Sequence, residues 1–470
     1  MRRPGKAVFL GLFFVAGQTA LGAEYKAGEV IVKYRDGILR TRLATNMLYS
    51  SAGVKKVRRY SSLMKGIEHL ILQESVNVED ALVQLRQDPS IEYAQPNYIL
   101  HALPIASEDP LVVSKQNPHR GGIPCFMPGI PFPPNCEDDP NGDPGIPGTP
   151  SAPSGRPNLT PAPADTDPPS ADPDMSKIYG MEKIKATEGW KIHNGTRDFI
   201  VADIDTGIDY NHEDLAGNVW RNPKPSDQKD IVGFDFVHND GLPFDDNKHG
   251  THTAGTIGAV GGNGIAISGV AQRISIMVLK FLAGDGSGTS ADAIRAIDYA
   301  INHGAKVLSN SWGGKADPDN QALFDAIERA KAKDVLFIAA AGNDGTDNDG
   351  PDTSYPAAFS NDNLISVAAT DSNDGLANFS NYGRKTTHVA APGVSIYSTI
   401  PGNKYESLSG TSMACPHVAG AAALLWSKHP DWNYKKVKEV LLKAVDDVPE
   451  LSGKTVTGGR INVFKALSSS

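Results

Sequence analysis

The sequence predicts an α/β fold: a mostly parallel sheet with helices on both faces, preceded by a small α+β unit. Three observations predict it. From about residue 174, short apolar runs fit for strands buried on both faces alternate with helical patterns, the signature of a parallel sheet. Residues 24–103 carry strand and helix patterns of their own, enough for a compact unit of about 80 residues. Between them the composition changes sharply, with 19 of the 33 prolines falling in 104–173.

In the first unit, "EVIVKY" (29–34), "IEHLILQ" (67–73) and "IEYAQPNYIL" (91–100) read as strands. "NVEDALVQLRQDP" (77–89) reads as a helix, with Val78, Ala81, Leu82 and Leu85 at helical spacing and Pro89 just past its end. "KKVRR" (55–59) is the densest basic cluster and reads as a solvated face. With a formal net charge of −9, the chain offers no basic stripe for nucleic acid.

The segment 104–173 is rich in Pro, Gly, Ser, Asp and Asn and poor in large aliphatics, so it reads as an extended, disordered linker. Cys125 and Cys136 lie within it and are close enough in sequence to pair in an oxidising compartment. Cys415, among small apolar residues, reads as a buried thiol.

Residues 1–23 place Arg2, Arg3 and Lys6 before a short apolar run and a tail of small residues, the order of a secretory signal peptide. No stretch reaches the roughly 18–20 apolar residues of a membrane-spanning helix. A secreted protein, extracellular or periplasmic, with no membrane partner is the expectation.

In the second unit, "DFIVADI" (198–204), "ISIMVLK" (274–280), "AKVLSNS" (305–311), "VLFIAAA" (335–341) and "LISVAA" (364–369) are the strand candidates. "SADAIRAIDYAINHG" (290–304) is a helix with Ser290 placed to cap its start and Gly304 its end. Ligands on such sheets bind beyond the carboxyl ends of the strands.

Three polar residues stand at such ends. Asp205 closes "FIVADI" and opens "DTG"; His249 opens "HGTHTAGTIG"; Ser412 in "SLSGTSMACPHVAG" begins another helix, with Pro416 in its first turn. A hydroxyl needs a base to take its proton, and the imidazole needs a carboxylate to fix its tautomer. A helix N-terminus adds free N–H groups for the oxyanion. Singly these signals are weak. "DTG" also occurs in aspartic proteases, which need two such aspartates where this chain has one. His249 and His252 form an HxxH pair that reads either as zinc ligands or as a base plus a packing residue.

Together, "VADIDTGIDYNHEDL", "HGTHTAGT", "SNSWGG", "AAAGNDG" and "LSGTSMACPHVAG" resemble, in order, the motifs of the subtilisin-like serine proteases, over about 172–466. Residues 24–100 resemble that family's inhibitory propeptide. The resemblance implies a subtilisin-like peptidase domain at 174–470 and a ferredoxin-like propeptide domain at 24–103. It implies a self-processing zymogen, a monomer, that cleaves protein or peptide substrates through an acyl-enzyme. Asp205 would orient, His249 would act as base and acid, and Ser412 as nucleophile, with Asn343 in the oxyanion hole and His252 structural. Gly286, Ser287 and Gly288, with Ser311, Trp312 and Gly313, would offer strand edges to a peptide; Ala340, Ala341 and Gly342 would line the pocket before the scissile bond. Broad specificity with an apolar or aromatic preference follows, tuned by Asp344 and Ser354. The alternative is an inactive relative that only holds peptides; the complete set of four argues against it.

The resemblance also implies structural Ca²⁺. Asp214, the Asn263 side chain and the carbonyls of Val260, Ile265 and Ile267 would bind it, with Asp172 or else Asp174 beside them. A second site would use Asp235 and Asp240, and a third Pro356, Ala358 and Asp371. Oxygen donors of this kind suit a hard cation.

Overall fold

The computed structural model describes residues 23–37, 41–59, 66–103, 171–315 and 320–469. The signal-peptide reading, almost all of the proline-rich segment, Cys125 and Cys136 lie outside the described residues.

The N-terminal unit runs β1 (Tyr25–Tyr34), α1 (Arg42–Ser51), β2 (Val54–Arg59), β3 (Ile67–Leu72), α2 (Val78–Gln87) and β4 (Ile91–Ala102). Its strands lie in the order β4-β1-β3-β2, all antiparallel. The run "EVIVKY" is apolar on successive residues because β1 is covered on both faces. Val30 and Val32 pack on Leu82 and Leu85 of α2, whereas Ile31 joins a core that belongs mostly to the larger domain. Asn77 caps α2 by accepting from the Glu79 N–H, and Val78, Ala81, Leu82 and Leu85 are its buried face. The basic cluster becomes β2, with Lys55, Lys56, Arg58 and Arg59 exposed. Arg59 pairs with Glu68 on the neighbouring strand at 2.7 Å.

The larger domain begins with two short helices, α3 (Tyr179–Lys183) and α4 (Ala186–Gly189). Then follow β5 (Gly195–Asp205), β6 (Gly233–Asp235), α5 (His249–Gly258), β7 (Arg273–Lys280), β8 (Ser287–Thr289), α6 (Ser290–Asn302), β9 (Val307–Asn310) and β10 (Trp312–Gly313). After α7 (Gln321–Ala332) come β11 (Leu336–Ala340), β12 (Leu364–Thr370), β13 (Val389–Pro392) and the hairpin β14 (Ile396–Ile400) and β15 (Lys404–Leu408). The chain ends with α8 (Thr411–Lys428), α9 (Tyr434–Lys443), β16 (Val445–Asp447), β17 (Gly459–Ile461) and α10 (Val463–Ser468).

Nine strands form one sheet, β16-β17-β13-β12-β11-β9-β5-β7-β6, parallel except where β16 meets β17. Alternate residues serve opposite layers, as strand geometry requires. Val201, Ile276 and Ile338 pack toward α5 and α8; Ala202, Met277 and Phe337 pack toward α6 and α7. The sheet is thus covered by helices on both faces. Helix α8 crosses the core and is buried on every side from Thr411 to Trp426, which is why it is apolar all round.

Two local readings are corrected. The cap of α6 is Thr289, whose hydroxyl accepts from the Asp292 N–H; Ser290 lies inside the first turn and accepts from Asn320. Pro416 sits at the sixth residue of α8, beyond the first turn. Having no N–H, it leaves the Ser412 carbonyl without its helical donor. That carbonyl accepts from the Ser311 hydroxyl instead, at 3.0 Å.

Candidate active site

Asp205 closes β5, and Ser311 and Asn343 follow the carboxyl ends of the adjacent strands β9 and β11. Asp205 and His249 are nearly inaccessible, and His249 Nδ1 lies 2.7 Å from Asp205 Oδ1. The same oxygen accepts from the Thr206 N–H at 2.7 Å. An Nδ1 facing a carboxylate carries the proton, which leaves Nε2 as the basic nitrogen; Nε2 is buried without a hydrogen-bond partner among the described residues. Burial disfavours the imidazolium, but the charge of Asp205, its hydrogen bond and a further contribution from Asp245 outweigh it. The pKa of His249 therefore stands above its ordinary value.

His252 is placed quite differently. Its Nε2 faces the carbonyls of Ile396 at 2.9 Å and Glu406 at 3.1 Å, and burial lowers its pKa to about 3. A neutral ring donating to backbone carbonyls is a packing residue of the core. The two histidines are committed to different partners.

Ser412 is the second residue of α8, and its Oγ donates to the Ser311 carbonyl at 3.0 Å. Asn343 Oδ1 accepts from both the N–H and the hydroxyl of Thr411, at 2.9 and 2.8 Å. With its oxygen so held, the Asn343 amide turns toward Gly410 and Ser412. A Cβ added to Gly410 would lie 3.2 Å from Asn343 Nδ2 and 3.6 Å from the Ser412 nitrogen. The two nitrogens thus flank one small volume that glycine keeps open.

The segments expected to offer strand edges to a peptide are paired with a strand of the chain's own N-terminal unit. Strand β4 runs antiparallel between β8 and β10: Leu100 pairs with Gly288, His101 with Ser287 and Gly313, and Ala102 with Trp312. The Ala102 N–H donates to the Gly286 carbonyl at 2.8 Å, and Leu103 N–H reaches the Ser311 carbonyl at 3.5 Å. Leu103 is buried and packs beside Gly313, in the same cluster as Ala340. Gly342 could carry no side chain, because a Cβ there would meet Asn381 at 2.3 Å and Ser354 at 3.1 Å. Trp312 contributes main chain only; its ring is fully buried against Phe281 and Phe337.

At the expected calcium loop, Asp172 accepts from the N–H groups of Gly262 and Gly264 at 2.8 and 3.1 Å. Asp174 points elsewhere and pairs with Lys177. Asp214 accepts from Asn263 Nδ2 at 2.9 Å and the Ile267 N–H at 3.1 Å, and Val260 N–H bonds the Asp214 carbonyl. Both carboxylates are buried with neutral hydrogen-bond partners, and burial pushes Asp214 up to about 7. Among the described residues no cationic side chain bonds either carboxylate; two buried carboxylates met only by neutral donors are the kind of group a hard cation takes, and Asn263 Oδ1 accepts from the Ile265 N–H. Asp235 instead spends its oxygens on His238 and on the N–H groups of Val237 and His238, and Asp240 accepts from Leu242 N–H. Asp371 closes a turn on Asn373 and Gly375.

One residue escaped the sequence reading. Asp245, 1% exposed, accepts hydrogen bonds from both sides of the Asp205–His249 pair. An acid four residues before a histidine in "DDNKH" looks like solvated loop charge, and no local pattern separates the two.

A buried carboxylate–imidazole pair, a serine at a helix N-terminus and two convergent amide donors define a serine hydrolase acting by acyl transfer. The family model described as the subtilase family (Peptidase_S8) matches residues 196–458, and that of the fervidolysin N-terminal prodomain matches 16–97. Thermitase of Thermoactinomyces vulgaris is 42% identical over 292 residues, 62% of this chain and 96% of the relative. A thermophilic serine proteinase of Bacillus sp. (strain AK1) is 40% identical over 290 residues, 62% and 67% of the two chains. Subtilisin DY of Bacillus licheniformis is 40% identical over 267 residues, 56% and 89%. The chain belongs to the subtilase family and is a serine endopeptidase of that type, with an N-terminal prodomain.

Proposed function

We propose that this subtilase is a secreted, monomeric, calcium-stabilised endopeptidase, made as a precursor that inhibits itself and then cuts itself free. Asp205 holds the His249 tautomer and offsets the charge formed when Nε2 takes the Ser412 proton. Rotation of Ser412 Oγ from the Ser311 carbonyl toward Nε2 frees it to attack the substrate carbonyl carbon. The oxyanion then forms between Asn343 Nδ2 and the Ser412 N–H, His249 gives its proton to the leaving nitrogen, and water hydrolyses the acyl-enzyme by the reverse sequence.

One observation carries the zymogen reading: β4 pairs with β8 and β10 as a substrate strand would, and the residue after it, Leu103, shares a main-chain acceptor with Ser412. The Leu103 N–H and Ser412 Oγ both bond the Ser311 carbonyl. Main-chain pairing supplies affinity with little demand on sequence, and the seat taken by Leu103 supports an apolar preference. The order βαββαβ with strands 4-1-3-2 supports the ferredoxin-like reading of the prodomain. Secretion is supported by the N-terminal sequence and by the absence, among the described residues, of a helix long and apolar enough to cross a membrane. When bound, Ca²⁺ would join Asp172, Asp214 and the 260–267 loop; Asp235 and Asp240 offer a weaker second place.

The test is the Ser412→Ala protein. It should accumulate as the precursor while wild type appears shortened. Equal processing of both, or an unshortened wild type that is fully active, would refute the reading.

A further inference from the structure

Asp245 takes five hydrogen bonds on one carboxylate. Oδ1 accepts from Thr206 Oγ1 at 2.9 Å, Asn247 N–H at 2.9 Å and Lys248 N–H at 3.0 Å. Oδ2 accepts from Thr251 N–H at 2.9 Å and Thr251 Oγ1 at 2.6 Å. Thr206 directly follows Asp205 and bonds its carboxylate, whereas Asn247, Lys248 and Thr251 flank His249. The Gly250 N–H also bonds Thr206 Oγ1, at 2.9 Å. Helix α5 has no cap of its own, since Lys248 at its entry has φ +135° and offers no side-chain bond. Asp245 fills that role from three residues earlier, at the end where a negative charge is favoured.

We propose that Asp245 is a positioning residue for the proton transfer, clamping the turn after Asp205 to the first turn of α5 and so setting the Asp205–His249 hydrogen bond. The proposal rests on the reading of Asp205, His249 and Ser412 given above. Lys280 secures the other side of the same turn: its buried Nζ donates to the Thr206 carbonyl, the Leu282 carbonyl and Asp246. An amide cannot replace the carboxylate. All five partners donate, so asparagine would turn an NH₂ toward at least two donors. The charged and titratable groups around the pair are Asp203 and Asp205 on β5, Lys280 on β7, and His252 one turn along α5. Lys248, whose N–H bonds Asp245, sends its charged end to Glu406 and acts on His252.

The test compares processed wild type, Asp245→Asn and Thr206→Val by steady-state kinetics, pH profile and the rate at which a serine-directed phosphonate labels Ser412. For Asp245→Asn, kcat should fall by about 10–100-fold with little change in KM, the scale of a misplaced catalytic group. The acid limb of kcat/KM should move to lower pH, because a negative charge beside His249 is gone, and labelling should slow in parallel. Thr206→Val breaks one link without changing charge, so kcat should fall while the limb stays put. A wild-type kcat and limb in Asp245→Asn at equal folded fraction would overturn the proposal, whatever the loss of thermal midpoint. Should that variant fail to fold, an unchanged kcat in Thr206→Val overturns it instead. Failure of wild type itself to label at Ser412 would refute the underlying triad, a separate result.

Discussion

Buried groups at the site divide by what they face. Ser412→Ala removes a hydroxyl that adds little to packing, so the fold should stay while kcat falls by about 10⁶, the loss such a change causes in subtilisin. Asn343→Ala removes one of two oxyanion donors and should cost about 10²–10³ in kcat. His252→Ala should act on stability, since it strands the carbonyls of Ile396 and Glu406, at about 1–3 kcal/mol for each buried group left unpaired. Denaturation midpoints beside kcat per folded enzyme separate these cases. Acid should also unfold the protein early. Burial holds His252 and His388 at about 3 and His417 at about 4. The unfolded chain takes up those protons below about 6.5 and the native state does not, so these histidines withdraw stability as pH drops through that window, while Asp214, pushed up to about 7 by burial, works the other way. In Asp214→Asn, which lacks that opposing carboxyl, a thermal midpoint that stays flat from pH 7 to pH 5 would contradict this.

At the scale of elements, strands buried on both faces were the easiest to read, because runs such as "FIVADI" and "VLFIAAA" have few other uses. Helix α1 and strand β2 were not foreseen. Leu43 and Met47 of α1 are largely exposed, and β2 reads Val-Lys-Lys-Val-Arg-Arg, with a register shift between Val54 and Lys56 in place of the simple alternation of a strand. The residues of the proposed triad could be picked out because each opens or closes an element in a short motif. Asp245 could not be, since its partners converge only after β5 and α5 pack. The loop proposed to hold calcium makes the same point, since Asp172 and Asp214 meet 260–267 only in the folded chain. An ion held there would stabilise the fold by about 2.7 kcal/mol at 100 times its dissociation constant. EDTA should lower the thermal midpoint and hasten autolysis, Ca²⁺ should restore both, and Asp214→Ala should no longer respond to calcium. The end of β4 carries a further consequence. Taking Leu103 as the residue before the scissile bond, as the proposed mechanism has it, puts the cut before Pro104, whose nitrogen carries a ring carbon in place of hydrogen. Cleavage there should be slow, so secreted wild type should begin downstream of Pro104, and Pro104→Ala should shift the start toward residue 104. N-terminal sequencing that finds wild type beginning at Pro104 would reject this.

For the molecule as a whole, the prodomain is bound by more than the strand in the groove. Gln95 Oε1 accepts from the Ala322 N–H at the start of α7, and Asn97 Oδ1 accepts from the Ala291 N–H at the start of α6. Lys33 and Tyr93 both reach Asp325. None of these contacts could be read from the sequence, because each joins residues about 200–300 positions apart and needs both domains folded. They place β4 over the site, the arrangement that the proposed self-inhibition requires. The central claim is that Ser412, activated by His249 and Asp205, is the nucleophile of a metal-independent acyl transfer. Labelling purified enzyme with a serine-directed phosphonate and mapping the adduct tests it most directly. Activity should vanish in step with one adduct per enzyme at Ser412, in calcium or freshly added EDTA alike. An adduct elsewhere, or loss of activity with Ser412 unmodified, would contradict it.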